Sequence, residues 1–192
     1  MFNKEGFKKL GEDIYVYHNF VTDEECNEVV KLAKDLPEEL WRGNPSPTEH
    51  KSSGVNTDII PLIQKRIKSL LDDGIDLHFN NGVIRMLKGA SWGLHSDNHD
   101  FLKIREASKL LKDSDEYDLV KNNIMGIVLY FNDFEGGALN YPEQGVTYQP
   151  KRGDFVIHSS EDHCKHEVTE LLSDVRYSHS NNLFNYIKVP KA

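Results

Sequence analysis

Residues 124–158 read IMGIVLYFNDFEGGALNYPEQGVTYQPKRGDFVIH, a succession of short apolar or alternating runs cut by turn residues. The runs are Ile124 to Asn132, Leu139 to Tyr141, Val146 to Gln149 and Asp154 to His158; Gly136-Gly137, Pro142 to Gly145 and Pro150 to Gly153 separate them. Segments this short, enriched in β-branched and aromatic residues and punctuated by Gly and Pro, make antiparallel strands rather than helices. The texture continues outward in Leu77 to Leu87, His166 to Thr169 and Arg176 to Ile187. Many short strands joined by tight turns are the pattern of a sandwich or jelly roll, so the expected fold is mainly β.

Upstream the period changes. Ile14 to Phe20 alternates as a strand, and Thr22 with Glu25 then has the spacing of a capping box at a helix start. Cys26, Val29, Val30, Leu32, Ala33 and Leu36 recur at helical spacing until Pro37 ends the run. A second helix is predicted over Asp58 to Leu71, with Ile59, Ile60, Leu62, Ile63, Ile67, Leu70 and Leu71 as its apolar residues and Asp72-Asp73-Gly74 as its stop. Both helices are expected to pack on one face of the sheet. Between them, Arg42 to Asp58 is polar and rich in Pro, Ser and Gly, and reads as a long mobile loop of the kind that forms lids. Phe101 to Val120, rich in Lys, Leu, Asp and Glu, reads as a helical insertion.

A chain of 192 residues is the size of one domain. Residues 1–75 would form the N-terminal strand and supporting helices, and 76–188 the β core. With 38% hydrophobic and 28% charged residues the chain can bury a core and is too apolar to be wholly disordered. The net charge of −8 opposes binding to phosphate backbones and anionic membranes, so neither nucleic acid nor membrane is an expected partner. Two cysteines, Cys26 and Cys164, are too few for a disulfide framework and read as free thiols. With no apolar run of signal-peptide or membrane-spanning type, a cytoplasmic location is expected.

Of nine histidines, six lie between positions 95 and 179. Their order matters more than their number: His95-Ser96-Asp97, then His166, then Arg176. Residues two apart in a strand face the same side, so His95 and Asp97 can offer an imidazole nitrogen and a carboxylate oxygen to one metal ion. One distant histidine completes the set. Two neutral nitrogens and a carboxylate leave adjacent positions open, the arrangement of non-heme iron(II) oxygenases; zinc hydrolases also use two His and a carboxylate. Arg176 and Tyr130 weigh toward the oxygenase, because a guanidinium fork and a phenol can together hold the far carboxylate of a dicarboxylic 2-oxoacid.

These residues resemble the prolyl 4-hydroxylase-like branch of the iron(II)- and 2-oxoglutarate-dependent dioxygenases, over about Val83 to Phe184. Gly89 and Trp92 precede the His-x-Asp as the family's Gly and aromatic residue do. Leu129-Tyr130-Phe131-Asn132, Gly136-Gly137 and Tyr141-Pro142 are similar to its strand-turn-strand segment. Pro150 to Asp154 is similar to its Pro-x-x-Gly turn, and His166-Glu167-Val168 with Arg176-Tyr177-Ser178 to its distal His-x-Val and basic residue. The resemblance implies a double-stranded β-helix, a distorted, cupin-like jelly roll. It implies iron(II) held by His95, Asp97 and His166, and 2-oxoglutarate held by Arg176 with help from Tyr130 and, more weakly, Ser178. It implies a reaction in which 2-oxoglutarate and O2 become succinate and CO2 while a C–H bond is hydroxylated, with ascorbate as a possible reductant. The expected substrate is a peptide or protein residue, with proline first; a free amino acid or other small metabolite is the alternative, and a metal-binding jelly roll without turnover is a third reading.

The chain departs from the family pattern at two positions: Met86 stands where many members have Tyr nine residues before the first ligand, and Leu139 where many have Thr. Both line the cosubstrate pocket in the family. His163 competes with His166 as third ligand, but the spacing to Val168 and Arg176 favours His166. Trp92 reads as core packing or as substrate wall, His99 as structural or solvent-facing or else, being near Asp97, as a residue that touches substrate, His158 as structural or solvent-facing, and Cys164 as a small buried residue.

Overall fold

The computed structural model describes residues 2–43, 50–54, 57–77, 82–97 and 117–190. In chain order the strands are β1 Lys8–Gly11, β2 Ile14–Tyr17, β3 Arg42–Gly43, β4 His50–Gly54, β5 Asp76–Leu77, β6 Gly82–Leu87, β7 Trp92–His95, β8 Tyr117–Tyr130, β9 Leu139–Tyr141, β10 Val146–Tyr148, β11 Phe155–Ser159, β12 His166–Val168 and β13 Val175–Pro190. The helices are α1 Asp23–Asp35 and α2 Ile59–Lys68. Every strand pairing is antiparallel. The major sheet runs β1-β2-β11-β8-β13-β6-β4-β3, with β5 pairing β13 beside that path, and the minor sheet runs β10-β9-β12-β7. Two antiparallel sheets facing each other, with the helices on the outside of the larger one, form a double-stranded β-helix.

Strand parity decides what goes where. On β8, Met125, Ile127 and Leu129 point to the helix side, as do Phe155 and Ile157 of β11 and Tyr177 of β13. They meet Cys26, Val29 and Ala33 of α1 and Ile60, Ile63 and Ile67 of α2, so both helices cover the same sheet face. The residues between them, Tyr130, Val156 and Val16, turn the other way into a second cluster with Leu139, Tyr141 and Val168 from the minor sheet. This inner cluster is the wall on which the site is built.

Local signals behave as expected where they are short-ranged. The Thr22 side chain accepts from the Glu25 backbone N–H and the Glu25 side chain accepts from the Thr22 N–H, closing the capping box. Glu25 also pairs with Arg66 of α2, whose guanidinium donates to the Phe20 carbonyl at 2.6 Å, locking the two helices to the end of β2. The second helix is shorter than the apolar pattern, ending at Lys68 rather than Leu71.

Three expectations need correction. Arg42 to Asp58 is not simply a loop: β3 and β4 pair with each other, and β4 pairs with β6 from His50 opposite Met86 to Gly54 opposite Gly82, extending the major sheet. Polar residues suffice there because an edge hairpin needs little more than main-chain pairing. The Phe101 insertion falls outside the described residues up to 116, and its end is strand rather than helix, since Tyr117 already belongs to β8 and pairs with Pro190. The Leu77 to Leu87 run is divided between β5 and β6, with residues 78–81 outside the described set. The strand β1, which pairs with β2, has no counterpart in the sequence reading, because its exposed Lys8-Lys9 edge lacks an apolar pattern. Among the described residues no helix is long and apolar enough to cross a membrane.

Candidate metal centre

The β7–β12 pairing sets His95 directly opposite His166. Asp97 follows just past the end of β7, two residues on, as the strand spacing requires. One ligand atom from each of His95, Asp97 and His166 lies within 4.8 Å of the others. His95 Nε2 is 3.7 Å from Asp97 Oδ1, and the two imidazole rings are 4.4 Å apart.

The histidine tautomers are set by the backbone. His95 Nδ1–H donates to the Gly93 carbonyl at 2.8 Å, and His166 Nδ1–H to the Cys164 carbonyl at 3.1 Å. Each ring therefore turns its Nε2 lone pair toward the cluster, an orientation common to metal-ligating histidines. Burial lowers the His166 pKa to about 3, and neighbouring His158 and His95 act in the same direction against Asp97. His166 is neutral and able to ligate across the whole physiological range. For Asp97, burial acts to raise the pKa, but the His158 hydrogen bond and the fields of His158, His166 and His95 outweigh it and hold the carboxyl at about 2. The site thus offers two imidazole nitrogens and one anionic oxygen.

Beside the cluster opens a cavity of about 320 Å³ between the two sheets. Arg176, Ser178, Ser180 and Asn182 of β13 line one wall at every second residue, with Tyr130 and Val128 of β8 next to them and Trp92, Leu139 and Val168 across. Arg176 is buried and donates from Nη1 to the Gly137 carbonyl at 3.0 Å. Gly136 and Gly137 both have positive φ, 68° and 58°, a backbone that glycine adopts without strain and that aims this carbonyl at the guanidinium. The guanidinium stands over the rings of Tyr130 and Phe134 at 5.7 and 5.6 Å. Arg176 Nε and the Tyr130 hydroxyl are buried without hydrogen-bond partners among the described residues. Burial raises the Tyr130 pKa to about 12 despite the Arg176 charge, so the phenol keeps its proton and is a donor.

Among the described residues this buried cation is bonded to one neutral carbonyl and stands next to an orphaned phenol donor, an arrangement that is costly unless an anion completes it. A small dicarboxylate fits this chemistry: one end for Arg176 and Tyr130, the other for a metal at the triad. The departures from the family pattern are apolar, with Met86 buried in the inner cluster and Leu139 on the cavity wall, so Arg176, Tyr130 and Ser178 are the polar groups left at that end.

Trp92 lines the cavity, with its ring 6.1 Å from that of His95, and also packs against the inner cluster, so both readings of it hold. His99 lies outside the described residues. His163 is not in the cluster; its Nε2 faces Asp13 Oδ2 at 3.4 Å. Cys164 is buried and its thiol is pushed up to about 11, first by burial.

Of the two readings of His158, the structural one holds. It is fully buried rather than solvent-facing, and its Nε2 lies 3.0 Å from Asp97 Oδ2 while its Nδ1 lies 2.7 Å from the Tyr141 hydroxyl. The available signal was parity: His158 shares the inner face of β11 with Val156, and a histidine ending an apolar strand on a core face needs polar partners.

A double-stranded β-helix whose mouth gathers His-x-Asp and a distal His defines a non-heme metal oxygenase. The family model described as the 2OG-Fe(II) oxygenase superfamily matches residues 82–184, and the chain belongs to that superfamily. No curated protein matches the sequence. Among solved structures, the chain is similar to a viral collagen prolyl hydroxylase from Paramecium Bursaria Chlorella virus-1 in complex with 2OG, with a TM-score of 0.64, 16% identity and 90% and 96% of the two chains covered. It is similar to a prolyl hydroxylase from Trichoplax adhaerens bound to a hypoxia inducible factor peptide fragment, at TM-score 0.65, 14% identity, covering 90% and 84%. It is also similar to HygX from Streptomyces hygroscopicus with nickel, 2-oxoglutarate and hygromycin B bound, at TM-score 0.60, 12% identity, covering 90% and 82%. At such identities the likeness is one of fold.

Proposed function

We propose that this chain is an iron(II)- and 2-oxoglutarate-dependent hydroxylase of a peptide-bound residue, with proline the first substrate to try. The observation that carries the cosubstrate assignment is the buried, anion-seeking pair of Arg176 and Tyr130 in the same cavity as the His95, Asp97 and His166 cluster. The peptide assignment draws on the prolyl hydroxylases among the structural neighbours, one of which holds a peptide. HygX, with hygromycin B bound, is the support for a small-molecule substrate. The two free, buried cysteines suit a reducing, cytoplasmic setting.

Bound together, ferrous iron would activate O2 and 2-oxoglutarate would supply two electrons, with one oxygen atom passing to succinate and one to the hydroxylated product as CO2 is released. The protein's part is placement. His95 and His166 present Nε2 lone pairs and Asp97 an oxygen anion. Arg176 would pair with the distal carboxylate, and the Tyr130 hydroxyl would donate a hydrogen bond to the same group. The sheets around Arg176 keep water from that ion pair, which strengthens it. Trp92 and the β13 residues beyond Ser178 face the space left for substrate.

The test is an anaerobic incubation of the protein with Fe(II) and 2-oxoglutarate, monitored for the weak visible charge-transfer band of the chelate, followed by O2 with ascorbate as reductant and quantification of succinate. A band and succinate support the dioxygenase reading; proline peptides that gain one oxygen atom from O2 support the substrate. Bound iron without band or succinate overturns the reading in favour of a binding module.

A further inference from the structure

The two oxygens of Asp97 have different partners. Oδ1 faces His95 Nε2 at 3.7 Å inside the metal cluster, whereas Oδ2 is turned away to His158 Nε2 at 3.0 Å. His158 in turn is held by the Tyr141 hydroxyl at 2.7 Å on its other nitrogen, and both side chains are fully buried. The Asp97 carboxylate can only accept, so His158 Nε2 carries a hydrogen and donates to it, while Nδ1 is bonded to the Tyr141 hydroxyl. The chain from Tyr141 through His158 to Asp97 leaves neither imidazole nitrogen of His158 without a partner.

The surroundings leave this arrangement little freedom. The His158 ring lies 4.3 Å from the His166 ring, tilted by 44°, and Tyr141 lies 5.5 Å from the same ring. On the floor, Gly126 stands opposite His158 in the β8–β11 register, and a Cβ there would overlap both Asp97 Oδ2 and His158 Nε2. The place where the two side chains meet exists because position 126 has no side chain.

We propose that His158, oriented by Tyr141, is the positioning residue that keeps Asp97 a one-oxygen ligand. The proposal rests on the metal-centre reading above and adds a role for two residues that do not touch the metal. A carboxylate with a free second oxygen can swing to chelate a metal with both, which would consume a position needed for the cosubstrate or O2. With Oδ2 committed to His158, Asp97 offers Oδ1 alone and three adjacent positions stay open. Loss of the hydrogen bond removes the orientation and leaves a buried carboxylate oxygen unpaired.

The test compares His158→Phe, which keeps an aromatic ring without the donor, with His158→Gln, whose amide nitrogen reaches about where Nε2 stands. Wild type and variants are titrated with Co(II) as an optical probe and with Fe(II) anaerobically, and circular dichroism and melting curves are taken on the metal-free proteins. The expected result is a roughly ten- to hundredfold loss of affinity and an altered Co(II) d–d spectrum in His158→Phe, with affinity and spectrum largely restored in His158→Gln. Tyr141→Phe, which deletes one oxygen, gives a smaller loss in the same direction and serves where His158→Phe does not fold. A folded His158→Phe with wild-type affinity and spectrum overturns the proposal, as does an equal loss in Phe and Gln variants, which would mark His158 as packing only. Wild-type protein that binds neither ion overturns the metal-centre reading itself, an outcome distinct from either.

Discussion

Gly126 stands across from His158 in adjacent strands, and the missing side chain at 126 is what allows His158 to reach Asp97. Adding even one methyl group there is a change at the metal centre made from the sheet behind it. Gly126→Ala is expected to lower Co(II) or Fe(II) affinity by about tenfold or more, and to destabilise the fold by about 1–3 kcal/mol through overpacking. Metal titration with urea unfolding of the same variant checks both; unchanged affinity would mean that Asp97 is placed without help from this contact.

Arg176 and Tyr130 make opposite predictions for the empty and the filled cavity. Arg176→Leu removes the guanidinium fork and should weaken 2-oxoglutarate binding by about ten- to a hundredfold, since hydrogen bonds to charged groups contribute roughly 1.5–3 kcal/mol each. Tyr130→Phe removes a donor that is orphaned without cosubstrate. It should leave the cosubstrate-free protein as stable or slightly more stable, yet weaken 2-oxoglutarate binding. Calorimetry on the metal-loaded protein, with melting curves lacking 2-oxoglutarate, separates the two effects. Equal binding in both variants and wild type would remove these residues from the cosubstrate role.

Two buried histidines make metal-free stability depend on pH. Burial depresses His166 to about 3 and lowers His179, whose Nδ1 donates to the Gly82 carbonyl at 2.6 Å and whose Nε2 accepts from Asn181 at 2.6 Å. For a histidine whose folded pKa lies below its unfolded value, the unfolded chain takes up protons first as pH falls. The stabilisation is complete above about pH 6.5, the ordinary value, and is lost progressively below it. Between pH 7 and 5.5 the loss from His166 should be on the order of 1 kcal/mol, with His179 acting in the same direction. Asp97, held at about 2, keeps its contribution throughout this range and loses it only at far lower pH. Urea midpoints of metal-free protein across this range check the sign; midpoints that are flat or rise toward pH 5.5 contradict it.

The first helix depends on its cap. Thr22→Ala breaks half of the capping box and frees the Glu25 N–H, at an expected cost of about 1 kcal/mol. For a chain of this size that lowers Tm by about 2–4 °C. The Co(II) affinity should not change, because α1 covers the outer face of the major sheet while the ligands hang from the minor one. A loss of metal binding would show that the sheet transmits strain from helix to site.

The site was legible wherever its residues are near neighbours in sequence or follow a strand's parity. His95 and Asp97 share a side because they are two apart; Gly136-Gly137 announces a turn by its composition; Thr22 and Glu25 meet within one helical turn. His158 was not legible, because its partners Asp97 and Tyr141 are brought to it by pairings between strands far apart in the chain. Nor was the β3–β4 hairpin, whose polar residues carry no periodic signal and are held by main-chain bonds to β6.

From the order of residues alone, then, came the two helices, the short-strand texture, the His-x-Asp, the distal His and the Arg that follows it, since periodicity, turn chemistry and ligand spacing are local properties. Tertiary structure alone decided that the Asp97 oxygens take different partners, that Tyr130 and Arg176 lie buried beside each other on the cavity wall, and that position 126 carries no side chain. These depend on which strand lies beside which, and that choice is made by burial of the two sheet faces against each other and against the helices, a property of the whole chain rather than of any stretch of it.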